Sequence, residues 1–390
     1  MPKDILILGG GPAGLSTALH LARDFPHLAD RVLVLEKARY PRPKLCAGGL
    51  VLDAEIILER LGLDVTEIPY VDAVTARFDF EGKGLSVRVP KRHAIRIIRR
   101  DEFDHWLARK ARKVGIEIRE SVSVKNVVPD ADGVTVETDQ GDFRAQVVVG
   151  ADGSNGVTRR CILPNAPVHT ARLLEVLTPS LPPPNSPNLG EVSAGRWGFA
   201  YFDFFPVPNG IAGYTWDFPT QVNGQPMRCW GIYDTNILAD MQRPALREPL
   251  AEEMARHGFN LDDVELKGHP IRWFSPRAEM SAPRVLLAGD AVGADPIFGE
   301  GISMALGYGT VAAREIGESF QRNEFSFNGY RRRVLRSALG QTLIARWVIA
   351  QILYRVRWRL AQKFFWRRMG WITVAAAWVF VLNWGKRLKS

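Results

Sequence analysis

Cysteine is scarce in this 390-residue chain, which has only Cys46, Cys161 and Cys229. Three is an odd count in a long chain; it argues against a disulfide framework and fits a reducing compartment. The seven histidines, His20, His27, His93, His105, His169, His257 and His269, show no ligand spacing, so no metal is expected. A Gly-x-Ser-x-Gly nucleophile motif is missing, as is any triad signal. No basic stretch followed by an apolar core opens the chain, so a cytoplasmic protein is expected rather than an exported one. Acidic residues stop at Glu324: Arg331 to Ser390 holds 14 Lys/Arg and no Asp/Glu. The net charge of +9 therefore divides into +14 on this tail and −5 on residues 1–330. With 46% apolar and 24% charged residues, the chain is neither disordered nor a small stapled scaffold, and its length suits two domains.

What is present begins with a buried-strand pattern. Ile5-Leu6-Ile7-Leu8 is a continuous apolar run, broken by Gly9-Gly10-Gly11-Pro12-Ala13-Gly14. Leu15, Ala18, Leu19 and Ala22 then recur at helical spacing, and Val32-Leu33-Val34-Leu35 ends in Glu36. This spells a βαβ unit. Gly9, Gly11 and Gly14 fit G-x-G-x-x-G between strand and helix, where the glycines allow a tight turn, close approach to a pyrophosphate and helix–strand packing. Glu36 lies 22 residues past Gly14, placed to accept hydrogen bonds from a ribose. The motif predicts dinucleotide binding without choosing between flavin and nicotinamide forms.

Farther on, alternating strands are expected over 71–99, with a turn at Glu81-Gly82-Lys83-Gly84, and a helix over Phe103–Val114. Val122–Val136 and Phe143–Val149 read as strands, and the Pro-rich stretch from Pro164 to Pro187 as a connecting loop. Strands are expected at Trp197–Phe205, Gly210–Phe218 and Met227–Tyr233, with a helix near Leu246–His257. A buried strand at Val285–Ala288 leads through Gly289-Asp290 to a helix from Gly301 to Phe320. The fold class is α/β: a discontinuous Rossmann-like domain (1–70, 100–163, 276–330), an inserted, mostly antiparallel-sheet substrate domain (71–99, 164–275), and a helical tail (331–390).

Two later segments choose the cofactor. Val147-Val148-Val149-Gly150-Ala151-Asp152-Gly153 and Val285-Leu286-Leu287-Ala288-Gly289-Asp290-Ala291 are both strands ending in a Gly/Asp turn. The second is followed by Pro296-Ile297-Phe298-Gly299-Glu300-Gly301. With the first fingerprint, these three signatures in order resemble the FAD-dependent oxidoreductases with a para-hydroxybenzoate-hydroxylase-like or geranylgeranyl-reductase-like fold. Arg100-Asp101-Glu102-Phe103-Asp104 is similar to that family's R-x-x-F-D, and Lys44-Leu45-Cys46-Ala47-Gly48-Gly49-Leu50 to the K-x-C-G-G-G run of geranylgeranyl reductases. Gly213-Tyr214-Thr215-Trp216-Asp217-Phe218-Pro219 is similar to their G-Y-x-W-x-F-P run. Gly156 stands where the family frequently has Ser.

The resemblance implies FAD held by Gly9, Gly11, Pro12, Ala13, Gly14, Glu36, Lys37, Lys44, Arg100, Asp152, Gly289, Asp290, Pro296, Gly299, Gly301 and Ile302. It implies that Cys46 lies beside the flavin as the acid candidate, and that Tyr214, Trp216 and Phe218 line a substrate slot. The expected activity is saturation of C=C bonds in an isoprenoid or similarly lipophilic small molecule, with NADPH or another external reductant reloading the flavin. The alternatives are a flavin monooxygenase acting on an aromatic, polyketide or lipid substrate, and a membrane-tethered flavoprotein exchanging electrons with a donor protein.

The tail adds a partner. Met369–Gly385 is uncharged, flanked by Arg367-Arg368 and Lys386-Arg387, and Leu343–Phe365 interleaves Arg346, Arg355, Arg357, Arg359 and Lys363 with Trp, Ile and Leu. This predicts an interfacial helix with snorkelling arginines on an anionic membrane surface, hence peripheral membrane attachment. Nucleic acid is not an expected partner, because it leaves the uncharged run unexplained.

Overall fold

Four short apolar runs build the centre of the molecule. Ile5–Leu8, Val32–Leu35, Val147–Gly150 and Val285–Leu287 are buried throughout. Burial on both faces suits a parallel sheet covered by helices. The computed structural model describes residues 3–180, 198–238, 244–369 and 383–389. In it these runs lie within a six-stranded sheet ordered Ser281–Ala282, Val285–Leu287, Val147–Gly150, Ile5–Leu8, Val32–Leu35, Glu117–Arg119. All pairs are parallel except the edge pair of Ser281–Ala282 with Val285–Leu287.

Helix Pro12–Asp24 packs against helix Ile302–Arg322. Gly309 makes the approach close: a Cβ there would sit 2.4 Å from Ser16 Oγ, which donates to the Leu306 carbonyl at 2.8 Å. The fingerprint helix and the helix after the last signature are thereby locked together.

A seven-stranded sheet runs Lys267–Arg272, Thr170–Pro179, Gln225–Asp234, Gly213–Val222, Phe199–Asp203, Thr75–Phe80, Lys83–Arg88. It is antiparallel except where Phe199–Asp203 meets Thr75–Phe80. Two small sheets complete the body: Gly49–Leu50, Ile95–Ile98 and Tyr70–Ala73 in one, and the meander Val124–Pro129, Val134–Thr138, Gly141–Ala145 in the other.

Several sequence expectations change. Phe143–Val149 is not one strand, because Gly141–Ala145 pairs within the meander whereas Val147–Gly150 pairs with Ile5–Leu8. Val122–Val136 likewise divides into two hairpin strands. The expected loop after Pro164 contains the ten-residue strand Thr170–Pro179, whose proline lies at its end; Ala171 and Leu173 pack on one face and Val176 on the other. Residues 181–187 of that stretch lie outside the described residues.

The tail departs most. Leu343–Phe365 is not one interfacial helix but parts of two, Ala338–Leu353 and Arg359–Arg368. Leu339, Leu343, Trp384 and Leu388 join the core around the six-stranded sheet, and Ala350, Tyr354 and Trp366 join the core of the seven-stranded one. Arg346 does not snorkel: it is 2% exposed, and its Nη1 donates to Asp295 at 2.7 Å and Glu300 at 3.1 Å. Buried carboxylates need a cation, and the tail provides it. Most of the uncharged run, residues 370–382, lies outside the described residues.

Asp53 ties down the end of the chain by accepting from the backbone N–H groups of Gly385 at 2.8 Å and Asn383 at 3.1 Å. Burial raises its carboxyl to about 6, against the Gly385 bond and the charge of Arg346. A raised folded-state value gives stability that is present below the unfolded value of about 4 and lost as pH rises through the folded one. Asp53→Asn should therefore flatten the fall in unfolding free energy between about pH 4 and 6. Urea titrations of both proteins check this, and parallel pH profiles would contradict it.

Candidate active site

The strand ends and the inner face of the seven-stranded sheet enclose one cavity of about 690 Å³. At its polar end the fingerprint adopts the conformations its glycines allow. Gly9 sits at φ +110°, and a Cβ there would lie 2.4 Å from the Ala151 carbonyl. Gly14 touches the strand: a Cβ there would be 2.0 Å from Gly9 O. Gly11 caps the helix in ordinary extended geometry, and a Cβ there would meet only Arg42 Nη2, 3.8 Å away. The open space before this helix N-terminus is where a pyrophosphate fits.

Glu36 is buried and accepts from Gly10 N at 2.9 Å and Ala38 N at 3.0 Å, with Arg42 at 3.2 Å. These contacts fix its carboxylate at the end of Val32–Leu35, with lone pairs left for a ribose. Arg100 is held by Asp104 through two bonds of 2.8 Å. Asp104 is also 3.3 Å from Arg42, so a single buried carboxylate aligns both guanidinium groups. No motif points to Arg42, whose place depends on the fold around Asp104.

Asp152 accepts from Thr158 N at 2.8 Å and Thr158 Oγ1 at 2.9 Å, while its Oδ1 is buried without a partner. Packing accounts for Gly156 in place of Ser: a Cβ there would lie 2.2 Å from Asp152 Oδ1. Opposite, Gly299 is at φ +63°, and a Cβ would lie 2.7 Å from the Tyr233 ring. Gly301 leaves the N-terminus of Ile302–Arg322 open, its nearest neighbour being Asp290 Oδ1 at 3.6 Å. Burial raises the Asp290 carboxyl, opposed by Lys44 and Arg100. Lys44 Nζ lies 2.8 Å from His269 Nε2, a partner that sequence spacing does not reveal. Burial and the Lys44 charge lower His269 to about 4, so it stands neutral beside the cation.

Of the sequence-predicted cofactor residues, Gly9, Gly11, Pro12, Ala13, Glu36, Lys37, Lys44, Arg100, Asp152, Asp290, Gly299, Gly301 and Ile302 reach the cavity wall. Gly14, Gly289 and Pro296 do not. Gly14 packs behind the turn, Gly289 abuts Ala13, and Pro296 is buried beneath its loop. They shape the wall without forming it.

Past Cys46 the cavity turns apolar. Tyr214, Trp216 and Phe218 line it from one strand, facing Phe78, Phe202 and Phe298. Phe202 holds the cluster together, with ring centroids 4.8 Å from Phe78 and 5.0 Å from Phe218. Burial pushes the Cys46 thiol up, opposed by the nearby Arg100. Glu175 also reaches this wall, from the strand that replaces the expected Pro-rich loop.

These residues fit FAD. Helix N-termini, cations and an open glycine cradle suit a dinucleotide, and the turn at Gly299–Gly301 offers backbone N–H groups to a flavin's developing charge.

A family described as FAD binding domain matches residues 3–319, and the chain belongs to it. This flavoprotein family houses several chemistries. Within it, the chain is similar to the geranylgeranyl diphosphate reductase of Rhodobacter capsulatus, 26% identical over 343 residues, covering 80% of this chain and 74% of that protein. A geranylgeranyl bacteriochlorophyll reductase-like protein from Thermoplasma acidophilum has the same fold, with a TM-score of 0.70 at 21% identity, over 90% of this chain and 87% of that one. So does a halogenase solved with FAD, with a TM-score of 0.65 at 16% identity, over 90% of this chain and 75% of that one.

Proposed function

We propose that this protein is an FAD-dependent reductase that saturates C=C bonds of an isoprenoid or similarly lipophilic substrate. The observation that carries the reading is the continuity of the cavity, from a cradle for a dinucleotide into an aromatic arm with Cys46 at the junction. Bound FAD, reloaded by NADPH or another external reductant, supplies hydride to one alkene carbon. The chain's own residues do the rest. Gly9, Gly11 and Gly301 leave room for the cofactor, while Lys44 and Arg100 supply positive charge. The aromatic arm orients an apolar chain and excludes water. The similarity to a reductase named for geranylgeranyl diphosphate supports this substrate class.

Anaerobic mixing of the reduced protein with a polyprenyl lipid tests the reading. Products heavier by two hydrogens per reduced bond are expected. Gain of one oxygen in air would replace the reading with a hydroxylase, and reduction of only a co-purifying protein would replace it with an electron-transfer flavoprotein.

The proposed partner at the surface is an anionic membrane. Among the described residues no helix is long and apolar enough to cross one. Peripheral attachment is supported by an exposed apolar strip: Ile352 and Val356, then Trp358 and Leu360, each 82% exposed, then Phe364. Exposed Arg355 lies among them, a cation complementary to anionic headgroups, beside Arg359, which is ion-paired with Glu81. The opposite face of helix Arg359–Arg368, which carries Leu360 and Phe364, packs inward, where Trp366 stacks on Phe204 at 4.1 Å and lines the cavity. A lipid surface and the substrate arm would thus lie on two sides of Arg359–Arg368. The double substitution Trp358→Ser, Leu360→Ser should weaken binding to anionic phospholipid vesicles by roughly tenfold or more, from lost burial of ~1.5–3 kcal/mol per side chain. Vesicle co-sedimentation checks this, and unchanged binding would remove the strip from any membrane role.

A further inference from the structure

Glu175 is a charged residue where the fold asks for an apolar one. It sits in the centre of Thr170–Pro179, opposite Gly231 on one side and Lys267 on the other, and is 4% exposed. Gly231 lacks a side chain because the Trp216 ring occupies that space; a Cβ would lie 2.1 Å from the indole. The strand register therefore brings Glu175 and Trp216 together at the cavity wall. The carboxyl lies against the Cys46 backbone amide and the Cys229 thiol, and its Oε2 is buried with no hydrogen-bond partner. A buried carboxyl oxygen without a partner is costly when ionised and much less so when protonated.

From this geometry we infer that Glu175 is the proton donor of the reduction, its carboxylic acid facing the substrate arm beside Cys46. The inference rests on the reductase reading and adds to it the residue that completes the chemistry. The C=C π bond breaks and two C–H bonds form. One carbon takes the hydride already assigned to the reduced cofactor, and the other takes the Glu175 proton. The cofactor is left oxidised and Glu175 is left as a carboxylate, which regains a proton from water before the next turnover.

The surroundings fit the task. Burial raises Glu175 to about 7, opposed by the charge of Arg99, by the adjacent Cys229 thiol and Cys46 backbone amide, and by Lys267. A general acid works best with a value near the operating pH. The Cys46 and Cys229 thiols are themselves raised by burial, which makes them poorer donors than the carboxyl between them.

The test uses the flavin-loaded protein and Glu175→Gln, which keeps the shape and removes the acid. Infrared difference spectra of the oxidised wild type, without substrate, should show a protonated-carboxyl band that disappears as pH rises through about 7 and is absent from E175Q. In anaerobic mixing with a polyprenol, E175Q should retain FAD and dithionite reducibility. Its reoxidation by the lipid should fall by about 10²–10⁴-fold and lose its decline at alkaline pH, and E175D should recover part of the rate. A wild-type rate in E175Q, or no titrating band in the wild type, overturns the role. If the wild type leaves the polyprenol unsaturated, the reductase reading falls and this role falls with it. An active wild type with unimpaired E175Q overturns the role alone.

Discussion

Arg346→Met is expected to lower the unfolding free energy by about 3–5 kcal/mol, the usual cost of stripping one partner from a buried ion pair. Two carboxylates depend on this guanidinium. Asp295 also accepts from Ile297 N at 2.7 Å, and Glu300 accepts from Ser303 N at 3.0 Å. Together they bracket the turn that carries Gly299 toward the cofactor cradle. Burial already raises the Glu300 carboxyl, and Arg346 is the main opposing influence. Without the cation both carboxylates must take up protons or water, and the turn must move, so FAD retention should fall as well. Arg355, exposed farther along the tail, serves as control: Arg355→Met should change stability by no more than about 0.5 kcal/mol. Urea unfolding of the three proteins decides the matter. An unchanged midpoint for Arg346→Met would make the tail an appendage rather than part of the site.

Gly11→Val should abolish cofactor retention while leaving the fold intact. Its backbone is ordinary, with φ −86°, and a Cβ placed there would have no neighbour closer than 3.8 Å. The protein itself therefore has no objection to a side chain. Only a ligand pressed against the helix N-terminus would object, and a loss of ~3–4 kcal/mol corresponds to roughly 10²–10³-fold weaker FAD binding. Gly9→Val offers the contrast, because φ +110° and the Ala151 carbonyl at 2.4 Å forbid a side chain whether or not FAD is bound. Flavin titration together with thermal melts separates the two cases. A Gly11→Val protein that keeps FAD would move the pyrophosphate elsewhere.

The legible part of this molecule is local. A run such as Ile5–Leu8 followed by glycines carries its own strand, turn and helix, so the cradle can be read from three short segments far apart in the chain. Cys46 and the Tyr214–Phe218 strand are found through resemblance, and they do meet at one cavity. Residues whose role depends on distant partners are harder to find. Arg346 looks like a snorkelling cation because nothing near it in sequence announces Asp295 and Glu300. Glu175 is hidden by neighbouring prolines, which suggest a loop although the alternation through Ala171 and Leu173 is that of a strand. Pro296 and Gly289 belong to the right signature, yet signature membership does not say which side chains face the cavity and which support it.

A crystal structure of the FAD-loaded protein with a polyprenyl alcohol tests the proposed reaction most directly. The isoalloxazine is expected near Cys46 and Gly299–Gly301, with the prenyl chain running between Phe78 and Trp216 and one double bond between the flavin and Glu175. Density for the prenyl chain outside the aromatic arm, or a flavin whose ring is walled off from that arm, would contradict it.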